Sequence, residues 1–512
     1  MLSPSSGSFS FTVTLADERA THRLMEDVAA LIEPGDLITL SGDLGAGKTT
    51  FARALIRHLA ADETIEVPSP SFTLVQAYEL PRFALVHADL YRVAGPGEIA
   101  ELGFEDLPRD TVMLLEWPDR AGDALSADRI DIAFTLAPEQ GESVRHVRIT
   151  GYGTLAAKAE RIGLIRDFLA HAGFGEAERR RLQGDASTRI YEALTREGAT
   201  YIFMNSPPRA DGPPVRDGKP YSAIAHLAED ITPFLAMARA LRDRGFSAPA
   251  IFVADRERGF AVVEDLGSDL VVDGDPPEPI EARYETAIDV LAALHTQTLP
   301  DTLPVEGHTV YRLPSYDMDA LLIEAELLLD WYLPRFDAAV AGEARYAYVG
   351  LWRAMLAPVL TGSQTWVLRD FHSPNLLWLP EREGLARLGL LDFQDALFGP
   401  AAYDVASLLQ DARVDVSTAM EITLLSRYAR ARLRADASFD AARFARAYAT
   451  LAAQRASKIL GIFARLDVRD GKPQYVRHMP RVSAYLQRAL AHPALADLAG
   501  WYRSHVPALK PI

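Results

Sequence analysis

The chain has 512 residues, 49% hydrophobic and 24% charged, and no cysteine. The length predicts two to four domains, and the lack of cysteine excludes disulfides, thiolate-bound zinc and thiol catalysis. The net charge of −17 is uneven: residues 1–152 hold 12 Lys and Arg against 24 Asp and Glu, which argues against strong direct binding of nucleic acid, since phosphate contacts need clustered cations.

Taken in chain order, "FSFTVTLA" (9–16) alternates like a strand, and a helical pattern covers 18–32. "DLITLSG" reads as a short buried strand entering the glycine-rich stretch "SGDLGAGKTT" (41–50), and "KTTFARALIRHLA" (48–60) as the helix that stretch opens. "ALVHADL" (84–90), "TVMLLEW" (111–117), "DRIDIAFTL" (128–136) and "RHVRITGYG" (145–153) supply further strands. Strands mixed with helices predict an α/β domain over 1–152. "GYGT" (151–154) is a short joint. The second domain then runs over 155–512, with a strand-rich first lobe to about 265 and a helical second lobe from 266. "LAAKAERIGLIRDFLAHAGF" predicts an amphipathic helix with Ile162, Ile165, Phe168 and Leu169 on one face.

Gly42, Gly45, Gly47, Lys48 and Thr49 satisfy the pattern G-x-x-x-x-G-K-S/T. Between a strand and a helix, this is a phosphate-binding loop. Its backbone N–H groups wrap the phosphates, Lys48 reaches the β and γ phosphates, and Thr49 offers a hydroxyl to Mg²⁺. Asp43, Ala46 and Thr50 complete the nucleotide-binding stretch. Asp89 and Glu116 each end an apolar run, where a doubly wound sheet presents its ligand edge.

With the loop, "VPSPSFTLVQAY" (67–78), "HADLYRV" (87–93) and "LLEWP" (114–118) follow in order. Together they resemble the TsaE family, P-loop ATPases needed for threonylcarbamoyladenosine in tRNA. The resemblance covers residues 9–150 and implies TsaB and TsaD as partners. It also implies switch-like roles for Ser69, Pro70, Ser71, Phe72 and Thr73, Mg²⁺ or water positioning by Asp89 and Glu116, and Trp117 beside the nucleotide.

Further on, "TWVLRDFHSPNLLW" (365–378) runs from a strand into a loop. Asp370 is placed to accept a hydroxyl proton, and Asn375, five residues later, to hold a metal ion. Asp392 follows a short strand in "LGLLDFQDALFG" as a second metal ligand. This is the kinase division of labour, in which positioning and charge stabilisation carry the reaction. His372 reads as structural. Asp404 in "GPAAYDVASLLQD" (399–411) either caps a helix or braces the Asp370 loop. "GDASTRIYEALTREGATYIFMNSPP" (184–208) reads as a hairpin over phosphates, with Ser187 and Arg189 as nucleotide contacts. "FAVVEDLGSDL" (260–270) reads as the lobe linker, where Glu264 would meet adenine.

These stretches, with "EAELLLDWYLPR" (324–335), resemble the aminoglycoside-phosphotransferase-like kinases over roughly 160–505, most closely the AmgK type. That resemblance implies a two-lobed α+β kinase fold, ATP and Mg²⁺. It also implies transfer to the anomeric hydroxyl of N-acetylmuramate or N-acetylglucosamine in cell-wall recycling. Three departures stand out. Leu368 replaces a frequent histidine, Gln394 the glycine of D-F-G, and no lysine occurs near Met204 where kinases hold phosphate. Nor has the helix "ITPFLAMARALRDRG" (231–245) a glutamate to pair with one. The alternatives are a kinase for an amino alcohol or aminoglycoside, or a pseudokinase scaffold. No apolar run reaches 18 residues and no signal-peptide pattern opens the chain, so the expectation is a cytoplasmic protein without a membrane span. Nothing in the sequence requires the two halves to share a chain, and co-expression of independent modules is the expectation.

Overall fold

A computed structural model describes residues 7–122, 125–182, 189–209 and 211–506 in two compact units, Met1–Phe203 and Met204–Ile512. In the first unit, β1 (Ser8–Leu15) and α1 (Glu18–Ala29) lead into β2 (Leu37–Gly42) and α2 (Lys48–Ala60). Asp17 starts α1 by accepting the Ala20 backbone N–H at 2.8 Å. There follow β3 (Val75–Glu79), β4 (Ala84–Asp89), the single turn α3 (Pro96–Ile99), β5 (Val112–Glu116), β6 (Arg129–Leu136) and β7 (Arg145–Tyr152). The seven strands form one sheet in the order β1-β7-β6-β2-β5-β4-β3. Its centre is parallel, β2 lying between β5 and β6. The first four residues of β2 are all buried, as a strand covered on both faces requires, whereas edge strand β1 alternates between exposed and half-exposed residues until the buried Leu15. The sequence reading missed β3. Its residues are mostly exposed or half-exposed, so "VQAYE" lacks an apolar signature, and pairing with β4 defines it.

After β7 come α4 (Ala156–His171), β8 (Glu178–Leu182), β9 (Ile190–Arg196) and β10 (Ala199–Asn205). Ile162, Ile165, Phe168 and Leu169 of α4 are buried, as the periodicity predicts. The segment from α4 to β9 is locked to the preceding sheet domain by charge. Arg179 of β8 is buried and donates to Asp27 of α1, and also to Glu192 of β9 at 2.7 and 3.0 Å. Arg166 donates to the other oxygen of Asp27 at 2.8 Å, and Lys158 to Asp36 at 2.6 Å.

This cluster has a pH signature. Burial pushes the Glu26 carboxyl up from 4.5 to about 7; Arg179 opposes this, while Asp27 and Glu192 add to it. A carboxyl raised on folding holds its proton in the native state first. Its contribution is therefore complete below its unfolded value and is lost as pH rises from about 4.5 through 7. Glu26→Gln cannot ionise, so its loss of thermal stability between pH 5 and pH 8 should be smaller than wild type, by about 2–3 kcal/mol. Identical pH slopes in the two proteins would contradict this origin.

The second unit is mainly helical. After a short strand pair, Pro214–Arg216 with Lys219–Pro220, and the single turn Tyr221–Ile224, it has a helix at Thr232–Arg242 and a hairpin of Ile251–Asp255 with Phe260–Glu264. Two short pairs, Gln364–Val367 with Leu397–Pro400 and Leu376–Trp378 with Leu388–Leu390, frame the Asp370 loop. The helices Met318–Leu327, Ala402–Leu409 and Ala441–Val468 lie behind it. The first strands of both pairs and Leu388–Leu390 were expected; Leu397–Pro400 and the hairpin of Thr302–Glu306 with Thr309–Arg312 were not. Among the described residues, no helix is long and apolar enough to cross a membrane.

Candidate functional sites

In the first unit the sheet register assembles the site. Asp89 and Glu116 end the parallel neighbours β4 and β5 and stand directly opposite one another. The loop leaving β2 delivers Thr49, whose hydroxyl donates to Glu116 Oε2 at 2.9 Å. Asp89 accepts from the Ser69 hydroxyl at 3.4 Å, and Ser69 and Ser71 share a 2.7 Å hydrogen bond. Ser69 thus joins the serine–proline stretch to the carboxylate edge. Phe72, by contrast, is exposed, under the Arg92 guanidinium at 4.2 Å.

Lys48 Nζ donates to the carbonyls of Gly42 and Asp43 at 2.8 and 2.9 Å and lies 3.8 Å from the centre of the Trp117 ring. Burial lowers its pKa, against the pull of Glu116, Asp89 and Asp43. Gly42 has φ +128°, and a Cβ there would sit 2.2 Å from the Phe134 carbonyl oxygen. That close pass excludes any side chain at the loop entrance. Gly45, Ala46 and Gly47 form the loop around to α2, where Ala46 is buried and Thr50 exposed.

One buried residue had no assigned role in the sequence reading. His87 Nε2 hydrogen-bonds Glu116 Oε1 at 3.0 Å, with both side chains enclosed. It lies two residues before Asp89, and that strand period was the available signal.

In the second unit Asp370 sits in a loop held on several sides. Asp404 accepts the backbone N–H groups of Leu368 and Arg369 at 2.6 and 2.9 Å. It lies inside the Ala402–Leu409 helix, so of the two roles open from sequence it braces the loop. Arg369, at φ +70°, turns its guanidinium onto the buried Glu324. Glu324 also binds Lys458 at 2.7 Å, the Tyr316 hydroxyl at 2.6 Å and Gln454 at 3.1 Å. Burial raises the Glu324 pKa, but Lys458 and Arg369 outweigh it and hold the carboxyl at about 2. The helices carrying these partners nearly touch: a Cβ on Gly461 would lie 2.3 Å from the Leu327 carbonyl carbon. In the sequence Glu324 stands out only as the first residue of the stretch 324–335. Lys458, in a long apolar helix, had no sequence signal.

Asn375 and Asp392 come together as expected. The Asn375 amide donates to the Asp370 carbonyl at 2.9 Å and to Asp392 Oδ2 at 3.4 Å. Gln394, the departure from D-F-G, donates to Asp392 Oδ1 at 2.6 Å. Phe393 stacks on Phe234, with centroids 5.4 Å apart and planes 6° apart. The helix without a glutamate therefore presents an aromatic face to this loop. His372 Nε2 is 3.8 Å from Asp370 Oδ1, and burial lowers its pKa to about 4. Burial also works against the Asp370 charge, but His372, Lys458 and Arg369 outweigh it and keep the pKa low.

The remaining sequence assignments are more scattered. The Glu264 carboxylate accepts from Arg242 and Arg382 and from the Ala250 N–H at 3.0 Å. Arg189 is half-buried just before β9, and Met204 is buried in β10. Ser187 lies outside the described residues.

Comparison with known proteins also gives two parts, but parts them between residues 146 and 178 and not at the Phe203/Met204 border of the compact units. A family model described as threonylcarbamoyl adenosine biosynthesis protein TsaE matches residues 15–146, and one described as the phosphotransferase enzyme family matches 178–448. A TsaE protein of Rickettsia felis is 38% identical over 125 residues, 24% of this chain and 72% of the relative. An N-acetylmuramate/N-acetylglucosamine kinase of Caulobacter vibrioides is 40% identical over 367 residues, 69% of this chain and 99% of the relative. The kinase of the same name from Pseudomonas aeruginosa is 32% identical over 335 residues, 64% of this chain and 89% of the relative. With the loop and carboxylate edge in its first part and the Asp370 loop in its second, the chain is a fusion that belongs to the TsaE family of ATPases and to the phosphotransferase enzyme family of kinases.

Proposed function

We propose that the first part hydrolyses ATP to support threonylcarbamoyladenosine formation in tRNA, and that the second phosphorylates the anomeric hydroxyl of N-acetylmuramate or N-acetylglucosamine. The kinase reading is carried by one observation: Asp370, Asn375 and Asp392 converge in a chain 40% identical to a kinase of those sugars. Asp370 orients the attacking hydroxyl and accepts its proton, while Asn375 and Asp392 hold Mg²⁺. In the first part Thr49 and Asp89 hold Mg²⁺ and Glu116 positions water. Both donor sets are all-oxygen or amide-oxygen, which suits a hard cation. Among the described residues no group of three metal-binding acidic, histidine or cysteine side chains occurs. Mg²⁺ fits that arrangement, because it binds through one or two carboxylates plus the substrate phosphates. The ion supplies neutralisation of phosphate charge.

The 40% identity to an N-acetylmuramate/N-acetylglucosamine kinase favours these sugars over an amino alcohol or an aminoglycoside. Mass spectrometry of the full chain with ATP, Mg²⁺ and either sugar should show the sugar mass raised by one phosphate. Phosphorylation of choline or an aminoglycoside in place of both sugars would overturn the reading.

The cytoplasm is the compartment where ATP, tRNA and recycled sugars meet. The partners proposed for the first part are TsaB and TsaD. With a surplus of carboxylates over 1–152, the chain should not hold bare tRNA tightly. Submicromolar, salt-sensitive tRNA binding without partners would contradict this.

A further inference from the structure

The phosphotransferase match begins at residue 178, the first residue of β8. Yet β8 and β9 belong to the same compact unit as the P-loop domain. The contact is specific. Arg179 is enclosed between Asp27 of α1 and Glu192 of β9, and its fork meets Glu192 through two parallel hydrogen bonds. Arg166 closes over the second Asp27 oxygen, and Arg181 donates to the Ala30 carbonyl at the end of α1. Arg23 of α1 reaches Glu176 at 2.8 Å, and Lys158 ties α4 to Glu33 and Asp36. His58 of α2, the helix that begins with Lys48, faces the same cluster: burial lowers its pKa, with Glu192 and Arg179 the next influences. A buried arginine with two carboxylates tolerates little displacement, since a shift leaves an uncompensated charge.

The Caulobacter kinase is matched over 99% of its length by 69% of this chain, so a P-loop domain is not a general requirement of such kinases. We infer that in this fusion α1 of the P-loop domain has become a docking platform for the first kinase strands, with Asp27, Arg179 and Glu192 as its lock, so that the P-loop domain positions β8 and β9. Asp27 is then a positioning residue for the kinase, although it lies in the other family's domain. The coupling is mechanical and does not need a nucleotide at Lys48. It replaces the expectation of two modules joined only for co-expression.

The test uses the full chain with Asp27→Asn, which keeps the shape and removes the charge. Hydrogen exchange should accelerate about tenfold or more in β8 and β9, while β2 and β5 stay protected. In sugar phosphorylation, the KM for ATP should rise about three- to tenfold with kcat within twofold, because first-lobe strands of kinases cover the nucleotide. Asp27→Glu should recover part of both effects. Arg166→Gln removes only the half-exposed partner and should move both readouts less, in the same direction; it also serves if Asp27→Asn does not fold. The kinetic arm rests on the kinase reading above, whereas the exchange arm does not. Exchange in β8 and β9 unchanged within twofold in both Asp27→Asn and Arg166→Gln would overturn the docking. Faster exchange with an unchanged KM for ATP would overturn the positioning role.

Discussion

Asp370→Asn should lower sugar phosphorylation by about 10²-fold, within the range of general-base contributions and toward its lower end. An anomeric hydroxyl is more acidic than an ordinary alcohol and needs less help in losing its proton. The structure indicates why the change should be clean. Asp370 is held by backbone bonds around it, with Asp404 on Leu368 and Arg369 and Asn375 on the Asp370 carbonyl. None of these uses the carboxylate that is altered. Nucleotide affinity should therefore survive within about threefold, readable by calorimetry with a non-hydrolysable analogue. Asp392→Asn should differ, weakening Mg²⁺–nucleotide binding together with turnover, since a metal ligand serves both. Wild-type turnover in Asp370→Asn would remove it from the reaction.

Lys48→Ala should abolish measurable nucleotide binding at the P-loop, a loss of about 10²-fold or more, the scale of removing a fixed cation from a phosphate site. Lys48 rests on the Gly42 and Asp43 carbonyls and against Trp117, so it is already folded toward the loop that wraps phosphate. Sugar phosphorylation by the same variant should stay within twofold of wild type, because the lock at Asp27 does not include Lys48. ATP hydrolysis and sugar phosphorylation measured side by side on one preparation decide the matter. Loss of both with the fold intact would make the coupling nucleotide-driven.

What was legible in the sequence was whatever a local pattern encodes. The strand–loop–helix around Lys48, the face of α4 and the spacing from Asp370 to Asn375 each follow from neighbours in the chain. Asp404 was half-legible: its place before a helix suggested a cap, and only the tertiary path of Leu368 and Arg369 made it a brace. Glu324 and Lys458 are 134 positions apart, and no local rule pairs them. Strand β3 escaped for another reason, since an edge strand owes its existence to its partner more than to its own composition. His87 shows a legible signal left unused, as its place two residues from Asp89 already put both on one side of β4.

The close pass at Gly461 gives the second unit a long lever. Gly461 lies one helical turn from Lys458, and Leu327 one turn from Glu324. The spacing of two helix backbones therefore sets the length of the ion pair that holds Arg369, the residue next to Asp370. A single methyl group at a position with no polar chemistry would wedge those helices apart and reach the Asp370 loop as a displacement. The geometry beside Asp370 thus rests in part on a glycine buried in the helical core, where a survey of reactive side chains would not look.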